Sequence, residues 1–145
     1  MRFAVLLALL AGPPIQLTFT TAASVPAVRA GQALKLYVDV TPKPKMHVYA
    51  PGAKDYQPIV LELNSAGAKA GKLAYPKSDD WYFEPTKEHV PVFQTPFRLT
   101  QDVVISPDAR PGTFYVTGVL KYQACDDTIC YKPVTEPVAW TISVQ

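Results

Sequence analysis

A chain of 145 residues is the size of one domain and is long enough to bury a core without a metal or disulfide staple. The formal net charge of +2, from 14 Lys+Arg against 12 Asp+Glu, is spread along the sequence. No basic run could follow a phosphate backbone, which argues against nucleic acid as a partner.

Arg2 precedes an apolar stretch over residues 3–11 that is too short to span a bilayer and fits the h-region of an export signal. Residues 1–11 are therefore expected to be a signal peptide and residues 12–145 the mature domain. No later stretch is apolar enough to cross a membrane, so a product without membrane spans is expected after cleavage, in the periplasm or otherwise exported.

Beyond the leader, 15 prolines and 7 glycines interrupt the chain every few residues, and no apolar repeat of helical period is sustained. Weak strand signals occur at 17–21, 46–49, 73–75, 90–93 and 103–105. Stronger ones come from alternation: Leu34, Leu36, Val38 and Val40 against Lys35, Tyr37 and Asp39, then 59–63, 114–120, and 138–144 with Trp140 inward. Turns are expected at 42–44, 64–67 and 107–112, where proline fixes φ and glycine accepts positive φ. Many short strands with such separators predict an all-β fold, an antiparallel β-sandwich or small barrel.

Residues 76–91 show no clear alternation and carry Trp81, Tyr82 and Phe83 in succession. Three consecutive aromatics cannot all face inward from one strand. They either roof one end of the core or form a lid over a nearby site.

The only two cysteines, Cys125 and Cys130, flank Asp126-Asp127-Thr128-Ile129 in a turn between two strands. Such a turn can bring the sulfurs within bonding reach. A ring of about six residues would stabilise the fold by only ~2 kcal/mol, so an inert staple would achieve little. Redox exchange, a passive staple and metal binding all remain open on spacing alone. A closed zinc site wants four Cys or His ligands, and His47 and His89 are remote in sequence. Copper(I), content with two thiolates, is less easily dismissed. Asp126 and Asp127 adjoin Cys125 and disfavour a thiolate there, whereas Cys130 has Lys132 two residues on, which points to Cys130 as the sulfur that bonds a partner.

The blocks Tyr122-Gln123-Ala124-Cys125 and Cys130-Tyr131-Lys132-Pro133, with the closing strand through Val144, resemble the end of the N-terminal periplasmic domain of the thiol:disulfide interchange protein DsbD. The likeness extends more loosely to His47-Val48-Tyr49-Ala50-Pro51-Gly52 and Tyr75-Pro76. It implies an immunoglobulin-like sandwich and a Cys125–Cys130 pair that shuttles between dithiol and disulfide, with Cys130 forming the mixed disulfide. It also implies partners: a thioredoxin-like or DsbD-type reductant on one side, and oxidised periplasmic proteins such as disulfide isomerases on the other. Tyr49 matches an aromatic position lining the family's cysteine site, and His47 stands where some members have another aromatic. Phe83, with Trp81 and Tyr82 beside it, falls where the family has a phenylalanine loop covering the pair. Two features depart from the pattern: the cysteines here are one residue closer than in the best-known members, and Lys132 replaces the first proline of a Tyr-Pro-Pro.

The sequence through Gln145 contains neither a membrane-embedded electron carrier nor a thioredoxin-like domain, so electrons are expected from another protein. No nucleophile elbow, glycine-rich phosphate loop or paired histidines at ligand spacing occur, and no cofactor is expected. Two rival readings remain: a noncatalytic immunoglobulin-like binding module with a structural disulfide, and a copper-handling periplasmic protein.

Overall fold

The computed structural model describes residues 15–145; the expected signal peptide lies outside them. Twelve strands run in chain order: β1 (Leu17–Ala23), β2 (Ala27–Val28), β3 (Ala33–Pro42), β4 (His47–Tyr49), β5 (Val60–Leu63), β6 (Ala68–Ala74), β7 (Asp79–Phe83), β8 (Glu88–Phe93), β9 (Phe97–Ile105), β10 (Gly112–Tyr122), β11 (Ala124–Cys125) and β12 (Val134–Val144). They form three sheets, in the orders β1-β3-β9-β6, β2-β12-β10-β5 and β11-β4-β8-β7. All pairings are antiparallel except that of β2 with β12. The fold is an immunoglobulin-like β-sandwich. No helix among the described residues is long and apolar enough to cross a membrane.

The alternating strands behave as their period demands. In β3, Leu36, Val38 and Val40 are fully buried while Lys35 and Tyr37 face away. From the opposite sheet, Val116 and Leu120 of β10 and Val138, Trp140 and Ile142 of β12 close the same core. The Trp140 indole N–H, otherwise a buried donor without a partner, donates to the Tyr37 carbonyl across the sandwich at 2.9 Å. β10 and β12 pair over eleven positions, so β10 delivers the chain in a fixed register to the cysteine segment that follows it.

Gly118 lies where β5 comes close against β10. A Cβ built there would sit 2.5 Å from the Glu62 carbonyl oxygen, a backbone atom that cannot swing aside. Gly118→Ala is expected to destabilise the domain by about 1–3 kcal/mol, the usual cost of overpacking. An unaltered thermal midpoint would show that this approach does not require glycine.

The stretch 76–91, which shows no clear alternation in sequence, holds β7 and most of β8, paired as a hairpin. Its period was hidden because β7 is a sheet edge that is not fully buried on either face, and carries aromatics on both. Trp81 and Phe83 share one face, and Tyr82 takes the other.

The third sheet divides its side chains between two environments. Val48, Phe93 and Ala124 point into the main core. Tyr49, Val90, Val92 and Cys125 form a second, smaller cluster, against which Trp81 and Tyr56 pack. One residue of offset along a strand is enough for this division, because successive side chains point to opposite faces.

Candidate functional site

β11 pairs with β4 so that Ala124 faces Val48 and Cys125 faces His47. The chain then reverses over residues 126–129 and returns with Cys130 bridged to Cys125. The reversal is built around one side chain. Asp126 Oδ1 accepts the backbone N–H groups of Ile129 at 2.7 Å and Thr128 at 2.8 Å and the Thr128 hydroxyl at 3.0 Å, while Oδ2 accepts the Tyr131 hydroxyl at 3.0 Å. An Asp at the head of a turn commonly does this. The backbone donors of Thr128 and Ile129 hold its carboxyl down to about 2, so it stays ionised and engaged with the turn. Two main-chain bonds close the loop, from Asp126 N to Ile129 O at 2.9 Å and from Tyr131 N to Ala124 O at 3.0 Å.

Cys125 and Cys130 are joined by a disulfide with a Cα–Cα distance of 4.0 Å. The two halves are unequal: Cys125 is 1% exposed and Cys130 is exposed. An attacking thiolate must approach a sulfur end-on. Cys130 offers that approach. The two cysteines thus differ in burial, while the carboxylate of Asp126 is turned into its own loop and not toward Cys125.

Around the bond is a cavity of about 170 Å³ lined by Tyr49, Tyr56, Trp81, Phe83 and Pro85 together with the 125–130 segment. The Tyr49 hydroxyl lies 3.0 Å from Cys125 Sγ and 3.7 Å from Cys130 Sγ. Burial, reinforced by Tyr56, pushes its ionisation well above the ordinary phenol range, so Tyr49 keeps its proton and is the donor toward sulfur. Tyr56 stacks flat on Tyr49, with centroids 4.0 Å apart, and fixes that ring. Trp81 and Phe83 approach from β7, with ring centroids 5.1 Å apart. Tyr82 points the other way, against His89, with 44% of its surface exposed.

His47 is buried, at 7% exposure, beneath Trp81, whose ring stacks on it at 4.3 Å. Its Nε2 lies 3.3 Å from Asp127 Oδ1. Sequence reasoning passed over Tyr56, Pro85, Asp127 as the partner of His47, and Gln123 as a structural link. Gln123 accepts the Gln57 N–H at 2.9 Å and donates to the Tyr131 carbonyl at 3.1 Å, tying the Tyr56 loop to the cysteine turn. For Gln123 a signal existed, since it belongs to the Tyr-Gln-Ala-Cys block. Tyr56 offered none, because its loop has no periodicity. Among the described residues no cluster of three His, Cys, Asp or Glu is arranged to hold a metal ion.

An immunoglobulin-like sandwich with a short-loop cysteine pair, one half buried and the other exposed, beside a cavity lined by aromatic rings, has the arrangement of a thiol-disulfide exchange domain. The family model described as thiol:disulfide interchange protein DsbD, N-terminal, matches residues 16–141. The chain belongs to that family. No curated protein matches the sequence. Among solved structures, the N-terminal domain of Neisseria meningitidis DsbD in its reduced form is similar at 17% identity and a TM-score of 0.56, covering 86% of this chain and 85% of that one. The N-terminal periplasmic domain of ScsB from Proteus mirabilis is similar at 11% identity and a TM-score of 0.59, covering 92% of this chain and 49% of that one. At these identities the likeness concerns the fold.

Proposed function

We propose that the domain passes electrons from a thioredoxin-like or DsbD-type reductant to oxidised periplasmic proteins by thiol-disulfide exchange at Cys125–Cys130, after export through the apolar leader at residues 3–11. The observation that carries this reading is the unequal burial of the two sulfurs within an aromatic cavity. A staple has no use for one accessible sulfur and one protected sulfur with a hydroxyl donor 3.0 Å away. An exchange site uses all three features. The reductant's thiolate attacks Cys130 Sγ, the S–S bond breaks, and Cys125 leaves as a thiolate that the Tyr49 hydroxyl stabilises by donating to it. A second reductant thiol then attacks the mixed disulfide and releases Cys130. In the opposite half-cycle the dithiol reduces a partner's disulfide by the reverse steps.

The reduction potential of the Cys125–Cys130 couple tests the proposal. A shuttle is expected at about −270 to −180 mV, between thioredoxin and the disulfide isomerases; a value below about −300 mV would make the bond a staple and the domain a binding module.

A further inference from the structure

His47 has no duty in the exchange just described, yet its surroundings are specific. As the register partner of Cys125 on the adjacent antiparallel strand, it leaves the sheet on the same face as that cysteine. Directly opposed residues in such a ladder hold their Cβ atoms about 4.5–5.5 Å apart. Trp81 covers the ring, and Asp127 meets Nε2 at 3.3 Å. A carboxylate only accepts, so Nε2–H donates; with the second proton absent, Nδ1 carries a bare lone pair. That Nδ1 is buried and has no hydrogen-bond partner among the described residues. An unmet buried acceptor costs roughly 1–3 kcal/mol and calls for an explanation. The disulfide has no S–H to offer it. A reduced Cys125, the register partner of His47 on the same face, carries one.

We propose that Cys125, His47 and Asp127 form a proton relay, in which His47 Nδ1 takes the proton of the Cys125 thiol when that cysteine resolves a mixed disulfide held on Cys130. The inference rests on the exchange reading above and assigns its resolving step. In that step Cys130 Sγ is already bonded to a partner sulfur. The Cys125 S–H proton moves to Nδ1 as Cys125 Sγ attacks Cys130 Sγ. The Cys125–Cys130 bond forms, the Cys130–partner bond breaks, and the partner sulfur leaves as a thiolate carrying the electron pair. His47 then returns its proton to solvent or to that thiolate. Asp127 holds the ring through Nε2–H and stabilises the imidazolium that forms transiently, while the Tyr49 hydroxyl donates to the Cys125 sulfur. The groups facing His47 are few. Asp127 comes from the turn, Cys125 from β11 and the uncharged Trp81 from β7, with Tyr49 next on its own face of β4. From β8, the apolar Val92, paired with Tyr49, lies on this face while Phe93 points into the main core, and the Asp126 carboxyl is turned to Tyr131.

A small aromatic disulfide, dithiobis(nitrobenzoate), isolates the step without a protein partner. Mixed with the reduced domain, it should release thionitrobenzoate in two phases, a fast one as Cys130 attacks and a slow one as Cys125 resolves. The readout is the ratio of slow to fast rate as a function of pH. His47→Phe keeps a ring beneath Trp81 and removes both nitrogens. It is expected to lower the ratio at pH 7 by at least tenfold, general bases contributing roughly 10²–10⁴-fold, with the deficit closing as pH rises toward the free-thiol pKa of about 8.5. Asp127→Asn, at an exposed side chain, is expected to lower the plateau of the slow phase severalfold and decides the matter should His47→Phe fail to fold. An unchanged ratio in the folded variant overturns the relay. So does equal slowing of both phases, which marks a merely structural histidine. A reduction potential in the staple range would sink the shuttle reading without altering these rates, so the two failures are distinguishable.

Discussion

Cys125→Ser is expected to accumulate a stable mixed disulfide through Cys130 with a reductant or substrate protein, and Cys130→Ser to yield roughly a hundredfold less. The difference follows from access. Cys130 is exposed at the rim of the cavity, so its sulfur needs no more than displacement of the Phe83 ring to meet a partner. Cys125 is 1% exposed, covered by Tyr49 and the third sheet, and a protein partner reaches it only after local opening. An opening that costs about 3 kcal/mol leaves about one molecule in a hundred reactive. The hydroxyl introduced by Cys125→Ser can keep the contact with Tyr49 and cannot resolve the adduct, so the adduct persists. Non-reducing gels and mass measurement of adducts formed by both variants under identical conditions make the comparison. Equal yields from the two variants would show that burial of Cys125 does not govern which sulfur is attacked, and the assigned roles would fall.

The sandwich was legible where one face of a strand meets the core and the other meets water. Leu34 through Val40 is such a strand, and its alternation predicts both its conformation and its inward residues. Legibility failed at β7, where Asp79, Asp80, Trp81, Tyr82 and Phe83 lie at a sheet edge and no single period of burial is imposed on them. The cysteine motif was legible because five residues of separation confine both sulfurs to one turn. Its surroundings were not, because they arrive through tertiary contact. Tyr56 lies sixty-nine residues before Cys125 in sequence, in a loop whose composition says nothing of where it docks. His47 illustrates the intermediate case. As one residue of a three-residue strand it could as easily have faced solvent, and only the pairing of β4 with β11 and the cover of Trp81 bury it. The two aspartates read from sequence as a shared negative charge have separate tasks: Asp126 builds the turn, and Asp127 meets His47.

Phe83→Ala is expected to speed reduction of Cys125–Cys130 by a small thiol with little loss of stability. Phe83 is half-buried at the end of β7, where the hairpin turns back over residues 84–87 and Lys87 takes a positive φ of 54°. Its ring lines the cavity over the disulfide and touches Trp81, and it belongs to neither core cluster. Full burial of a phenylalanine is worth about 1.5–3 kcal/mol, and a partial share near 1.4 kcal/mol corresponds to about tenfold in the open population. Reduction by dithiothreitol should therefore accelerate roughly tenfold, since thiolate access to Cys130 is what the ring limits. The neighbours calibrate the effect. Trp81 packs on the second core cluster and stacks on His47, so Trp81→Ala should also lower the thermal midpoint, in line with the ~3–5 kcal/mol typical of truncating a core tryptophan. Tyr82 faces away from the cavity, so Tyr82→Ala should change neither quantity appreciably. Thermal melts and reduction rates on the three variants resolve the question. If Phe83→Ala instead lowers stability like a core aromatic and leaves the reduction rate unchanged, the ring is a roof over the small core rather than a cap on the sulfurs.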